Sequence, residues 1–132
     1  MSRFEIGVKA LILHEDKLLL LKRIAKPEYG NLQGTWDVPG GRLEFGESPE
    51  EGLRREVKEE TDLEITRIHR IVDATTVYQD AQRQIVRLTF LCSATGDVQL
   101  GNEHTEHVWS PLPVTLILKD DILRQSLEKL TH

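Results

Sequence analysis

Five glutamates fall between Pro49 and Thr61, in a stretch opened by Ser48-Pro49-Glu50-Glu51. That opening predicts a helix. Ser48 can cap it, Pro49 suits its first turn, and Glu51, three residues after the cap, completes a capping box. On a wheel of about 100° per residue with Glu56 at the origin, Glu59 falls about 60° to one side and Glu60 about 40° to the other. Glu56, Glu59 and Glu60 therefore share one face, beside a Leu53/Val57 stripe that should dock on a sheet. Like charges at such spacings each cost roughly 0.2–0.5 kcal/mol. Glu59 and Glu60 also lie in the last turn, where the helix dipole disfavours an anion by about 0.3–1 kcal/mol. Arg55 is the one cation spaced to relieve them. The plain reading is a solvated acidic face. The sharper one is a functional site, because two helix rules are broken on the side nearest the core.

A bound divalent cation would remove the repulsion. An all-oxygen donor set, with no Cys or His at ligand spacing, selects Mg²⁺ or Mn²⁺; the twelve-residue calcium loop is absent. Gly52, one turn before Glu56, is expected to leave room above such an ion. Ahead of the helix, Trp36-Asp37-Val38-Pro39-Gly40-Gly41 ends in a glycine pair able to bring backbone carbonyls and amides close to a ligand.

The elements that must position these residues are legible as alternating apolar runs. Phe4–Leu13 and Leu18–Arg23, split by His14-Glu15-Asp16-Lys17, predict an antiparallel hairpin. Ile24–Thr35, with Pro27, Gly30, Asn31 and Gly34, predicts a long loop. Leu63–Val77 and Gln84–Ala94 predict two more strands, Gly96–Thr105 a polar loop and His107–Ser110 a short strand, with a break at Pro111 and Pro113. Leu123, Leu127 and Leu130 behind an acidic start predict a closing helix over Asp120–Leu130. Strands mixed with two helices give an α/β or α+β fold.

The chain has 132 residues, 39% hydrophobic and 30% charged, which fits one folded domain over 1–132. Its net charge is −5, and residues 42–64 hold nine acidic against four basic side chains, so the rest of the chain is balanced. No Lys/Arg run supports an extended nucleic-acid footprint. No apolar block approaches the ~20 residues a membrane span needs, and with Arg3 and Glu5 where an export signal would have its apolar run, none is expected. The lone Cys92 fits a reducing compartment, so a cytoplasmic location is expected.

Gly41 through Leu63 resembles the signature of the Nudix hydrolases: Gly41, Glu47, Arg55-Glu56-Val57, Glu59-Glu60 and Leu63 stand at that pattern's spacings, preceded by Pro39-Gly40. Asp62 stands where the family has Gly. That position suits a left-handed helix end, which Asp tolerates. The resemblance implies an α/β/α sandwich with a mixed β-sheet, and Mg²⁺- or Mn²⁺-dependent hydrolysis of a nucleoside diphosphate linked to another group X. It implies metal ligation by Glu56, Glu59, Glu60 and the Gly40 carbonyl, with Arg55 holding the glutamates and Glu47 as its partner. One carboxylate must take a proton from the attacking water: Glu56, Glu59, or a loop glutamate, Glu103 or Glu106. Arg23, Gly41 and Tyr78 are expected on the substrate side, whereas Trp36 and Trp109 are expected to fill core. The five histidines form no ligand pattern and receive no role. A nucleoside triphosphate is the first expected substrate. Dinucleoside polyphosphates, nucleotide sugars or a sensing module without turnover are the alternatives. The downstream proline associated with ADP-ribose members is missing, and a homodimer is a frequent family assembly.

Overall fold

The computed structural model describes residues 2–26, 34–112 and 120–131. Its elements are β1 (Arg3–His14), β2 (Lys17–Arg23), β3 (Trp36–Asp37), β4 (Gly40–Arg42), α1 (Pro49–Thr61), β5 (Glu64–Gln79), β6 (Arg83–Thr95), β7 (His104–Pro111), α2 (Asp121–Glu128) and a closing 3₁₀ turn, Lys129–Thr131.

Strand β1 is the hub. It runs parallel to β6 from Arg3↔Arg83 to Ile12↔Cys92, and antiparallel to β4 at Gly7↔Arg42, Val8↔Gly41 and Lys9↔Gly40. The expected β1–β2 hairpin forms through Glu15 and Asp16, both at positive φ (52° and 63°), as a tight hairpin turn requires. Only Leu13↔Leu18 and His14↔Lys17 pair before the strands part. From there β2 pairs with β7 along its length and with β3 at Leu21 and Lys22. The sheet is mixed and splays into two halves, with β6 and β5 extending one of them.

Both faces of this sheet are buried, which is why Leu18–Leu21 is an unbroken apolar run rather than an alternating one. Val8, Ala10, Ile12, Leu19 and Leu21 meet Leu53 and Val57 of α1 on one side. Leu11, Leu18, Leu20 and Val38 meet Leu123 of α2 on the other, with Leu127 and Leu130 packed against them. Each fully buried leucine contributes about 1.5–3 kcal/mol, so α1 is held firmly by its Leu53/Val57 stripe. Trp36 and Trp109 pack against the two clusters, as core fillers should.

Helix α1 begins and ends as its sequence dictates. Ser48 accepts from the Glu51 amide and Glu51 returns the bond, both at 3.1 Å. Asp62 caps the other end in the left-handed region at φ 62°. The closing helix is shorter than expected: Asp120 caps it, and the chain tightens into the 3₁₀ turn after Glu128. Strands β3 and β4 are additions to the expected pattern, and β7 starts at His104 rather than His107. Two- and three-residue strands carry no periodicity of their own; β1 and β2 impose them. Most of the expected loop Ile24–Thr35, and the break at Pro113, lie outside the described residues. Among the described residues no helix is long and apolar enough to cross a membrane, and Cys92 is buried.

Candidate active site

Arg55 organises the acidic face. Its Nη2 and Nε donate to the two oxygens of Glu47 at 2.7 and 3.0 Å, and Nη2 also reaches the Arg42 carbonyl at 3.1 Å. Nη1 is left to donate to Glu56 at 3.0 Å and to Glu59 at 3.3 Å. The guanidinium fork holds Glu47 well below the usual carboxylate range, down to about 2. Glu47 thus sits as the expected partner of Arg55, and the fixed fork aims the remaining nitrogen at the other two glutamates.

Glu60 is the buried member, 6% exposed. It accepts the Gly40 amide at 2.7 Å. Burial pushes its carboxyl up to about 7, against the pull of the Gly40 amide and Lys9 and with the push of Glu56. Burial also raises Glu56, opposed by Arg55 and reinforced by the charges of Glu59 and Glu103. Glu59 is more exposed, at 57% of its side chain.

The segment between β6 and β7 closes over the end of α1. The Gln99 amide donates to the Thr61 carbonyl at 2.9 Å, and the Gly101 amide to the Glu60 carbonyl at 3.2 Å. This delivers Glu103 to the acidic face. Glu56, Glu59, Glu60, Asn102, Glu103 and His104 then line one cleft of about 260 Å³. Glu106 lies elsewhere, paired with Lys22 Nζ at 3.4 Å. His104, to which the sequence assigns no role, is a member: it is buried, its Nε2 lies 3.9 Å from Glu60, and its Nδ1 has no hydrogen-bond partner. Burial lowers its pKa. The signal was its position beside Glu103, which is informative only once β7 pairs with β2 at Arg23↔His104.

The glycine pair is required by close approach. Gly40 has φ 146°, and an added Cβ would collide with the Val8 carbonyl. A Cβ on Gly41 would stand 2.6 Å from the Glu56 carboxylate. Gly52 corrects the sequence expectation. Its missing side chain leaves room for Leu43 and for Glu47, whose Oε1 would be 2.8 Å from an added Cβ, rather than for an ion.

Arg23 and Gly41 line a second cleft of about 230 Å³ with Gly7, Lys9, Asp37 and Arg42. It adjoins the acidic face through Gly41. Arg23 Nε lies 4.0 Å from Asp37 and is buried without a hydrogen-bond partner. Tyr78 does not join these residues. Its hydroxyl donates to Asp80 at 2.8 Å in the β5–β6 turn, and it lines neither cleft. Its ring packs on the Arg83 guanidinium, 5.7 Å from the ring centre, beside the β5–β6 turn.

Among the described residues no three acidic, histidine or cysteine side chains converge into a ready cation cage. Glu56 and Glu59 face Arg55, and Glu60 faces the Gly40 amide. By donor chemistry the group still fits a hard divalent cation: the ligands are all oxygen, the carboxylates crowd one another, and one is buried with its charged form disfavoured.

The model of the NUDIX domain matches residues 3–130. A MutT-like protein of Streptomyces ambofaciens is 37% identical over 105 residues, 79% of this chain and 62% of the relative, so the chain spans less than two thirds of that protein's length. The nucleoside triphosphatase NudI of an Escherichia coli strain is 32% identical over 108 residues, 74% of this chain and 76% of the relative. The solved structure of a MutT protein from Methanosarcina mazei superposes with a TM-score of 0.80 at 30% identity, over 98% of this chain and 94% of that one. With that match running from β1 to the turn after α2, on a mixed sheet held between two helices, the chain belongs to the Nudix family.

Proposed function

We propose that this protein hydrolyses the diphosphate linkage of a nucleoside diphosphate derivative, with a nucleoside triphosphate as substrate. Water adds to phosphorus, the anhydride P–O bond breaks, and a nucleoside monophosphate and pyrophosphate leave. The observation that carries this reading is the gathering of Glu56, Glu59, Glu60 and Glu103 on one cleft, around a helix whose charges Arg55 holds in place.

Glu56, Glu59 and Glu60, with the Gly40 carbonyl, would hold Mg²⁺ or Mn²⁺. Bound there, such an ion supplies charge neutralisation at the phosphoryl oxygens and a water of lowered pKa. The protein's own groups do the rest. Arg55 fixes Glu56 and Glu59 in orientation. Gly41, having no side chain, lets a diphosphate approach the acidic face, and Arg23 Nε meets a phosphate oxygen. Glu103 accepts the proton of the attacking water, for it lines the cleft and has no ion pair with Arg55. The relative named a nucleoside triphosphatase supports the substrate class. So does the lack of a proline between Pro49 and Pro111, the feature associated with ADP-ribose members. A cytoplasmic setting agrees with the buried free thiol of Cys92.

The test is a nucleotide panel with Mg²⁺ and product identification. Nucleoside monophosphate from a triphosphate supports the reading; preferential turnover of ADP-ribose or a nucleotide sugar moves the substrate, and binding without turnover makes the site a sensor.

A further inference from the structure

The fold gathers basic side chains that the sequence scatters. On one face of β1, alternate residues Arg3, Glu5, Gly7 and Lys9 stand in register with Arg83, Ile85, Arg87 and Thr89 of β6. Arg42 of β4 stands opposite Gly7. Glu5 takes Arg83 at 2.7 Å, Arg42 at 3.1 Å and Arg3 at 3.3 Å, so one carboxylate lies among three guanidiniums. Nearer the acidic face, Lys9 and Arg23 share the single carboxylate of Asp37, at 2.8 and 4.0 Å. Arg87 alone is matched one to one, by Asp120 at 3.1 Å. Positive charge is thus in excess along this face of a chain whose net charge is −5.

This face is a groove rather than a bulge. Its inner part is the 230 Å³ cleft, whose Gly41 wall abuts Glu56, so the groove begins where the candidate active site ends. Arg42 forms part of its wall, and the Glu5 that pairs with Arg42 also pairs with Arg83 and Arg3, which line a separate cleft with Asp80 and Gln82. From Lys9 to Arg3 the strand runs about 20 Å. Between the charges the floor is Gly7, Val77 and Ile85, small or apolar. Guanidinium forks on cleft walls of low dielectric favour phosphate oxygens over a neutral sugar.

We propose that this groove, beyond Arg23, binds a phosphate other than the scissile diphosphate, so that a nucleotide carrying a further phosphate remote from the bond that is cut is held more tightly than the same nucleotide without it. The location of the scissile diphosphate rests on the function proposed above; the charge preference of the groove does not.

The test is equilibrium binding in EDTA, which needs neither metal nor turnover, using two pairs of probes: NADPH against NADH, and coenzyme A against dephospho-coenzyme A. Each pair differs by one phosphate away from the diphosphate. The phosphorylated member should bind roughly fivefold or more tightly at low salt, and the preference should shrink as salt rises. Arg42→Gln should reduce it, and Arg42→Gln with Arg83→Gln should abolish it. Arg42→Gln is the informative variant should the double variant fail to fold, because the Arg42 side chain is 54% exposed and its backbone contacts are retained. Equal binding within both pairs, or a preference that survives these substitutions, overturns the proposal. Retained preference with no hydrolysis of any nucleotide overturns the proposed function and leaves the groove assignment standing.

Discussion

Arg55 grips Glu47 with two nitrogens, at 2.7 and 3.0 Å, and spends its third on Glu56 at 3.0 Å. The bond to Glu47 fixes the direction of the bond to Glu56. A lysine at 55 keeps the charge but has no fork, so it can hold one carboxylate and not orient the other. Arg55→Lys and Glu47→Gln should each lower kcat about 10–100-fold, the usual cost of losing a group that orients a ligand. Steady-state kinetics would show this; a kcat within twofold of wild type in both would contradict it.

Gly41 and Gly52 separate activity from stability. A Cβ at Gly41 meets the Glu56 carboxylate, so Gly41→Ala should displace that carboxylate and cut activity while the melting temperature changes little. A Cβ at Gly52 meets Leu43 and Glu47, so Gly52→Ala should cost about 1–3 kcal/mol of stability by overpacking. Paired activity and denaturation measurements check both.

Divalent ions should stabilise the fold. Glu60 is buried with its charged form disfavoured, and Glu56 lies beside it. Adding Mg²⁺ or Mn²⁺ should raise the melting temperature, since any ligand that binds only the folded state does so. Glu60→Gln should raise the metal-free melting temperature at pH 8 and blunt the response to metal. An unchanged metal response in that variant would remove Glu60 from the ligand set.

Asp73 ties α2 to β5. It accepts Lys129 Nζ at 2.6 Å and Ser126 Oγ at 2.7 Å, and the lysine bond foremost holds its carboxyl below the ordinary 3.8. A depressed carboxyl stabilises the fold above the unfolded value and loses that contribution as pH falls through the folded one. Asp73→Asn should therefore lower the melting temperature near neutrality, and its deficit should narrow as pH drops below about 4. Ser126→Ala should cost about 1–3 kcal/mol at pH 7 by leaving the buried Asp73 oxygen without its donor. A deficit that is constant from pH 7 to pH 2 would contradict the assignment.

Local chemistry made α1 legible: the Ser48/Glu51 box and the left-handed Asp62 mark its ends, and 3.6-residue periodicity places Glu56 and Glu60 beside the core. The long strands were legible from their apolar runs. What was not legible depends on pairing between distant segments. Strand β4 exists because β1 accepts it, and its Gly-Gly-Arg has no pattern to read. Glu103 rather than Glu106 enters the cleft because the β2–β7 register sets Glu106 against Lys22. The same register brings in His104, whose place beside Glu103 is informative only once that pairing is known. The surroundings of Tyr78, its hydroxyl on Asp80 and its ring against Arg83, also depend on how the β5–β6 turn folds back. The basic groove likewise needs the parallel β1–β6 register, which no local signal encodes.

Hydrolysis of a nucleotide diphosphate linkage by the Glu56–Glu59–Glu60 face is decided by incubating the protein and its Glu59→Gln variant with a nucleoside triphosphate and Mg²⁺ and identifying products. The nucleoside monophosphate and pyrophosphate should be released, with no release in EDTA and a rate roughly a hundredfold or more lower in the variant. Full activity in Glu59→Gln, or turnover undiminished by EDTA, would contradict it.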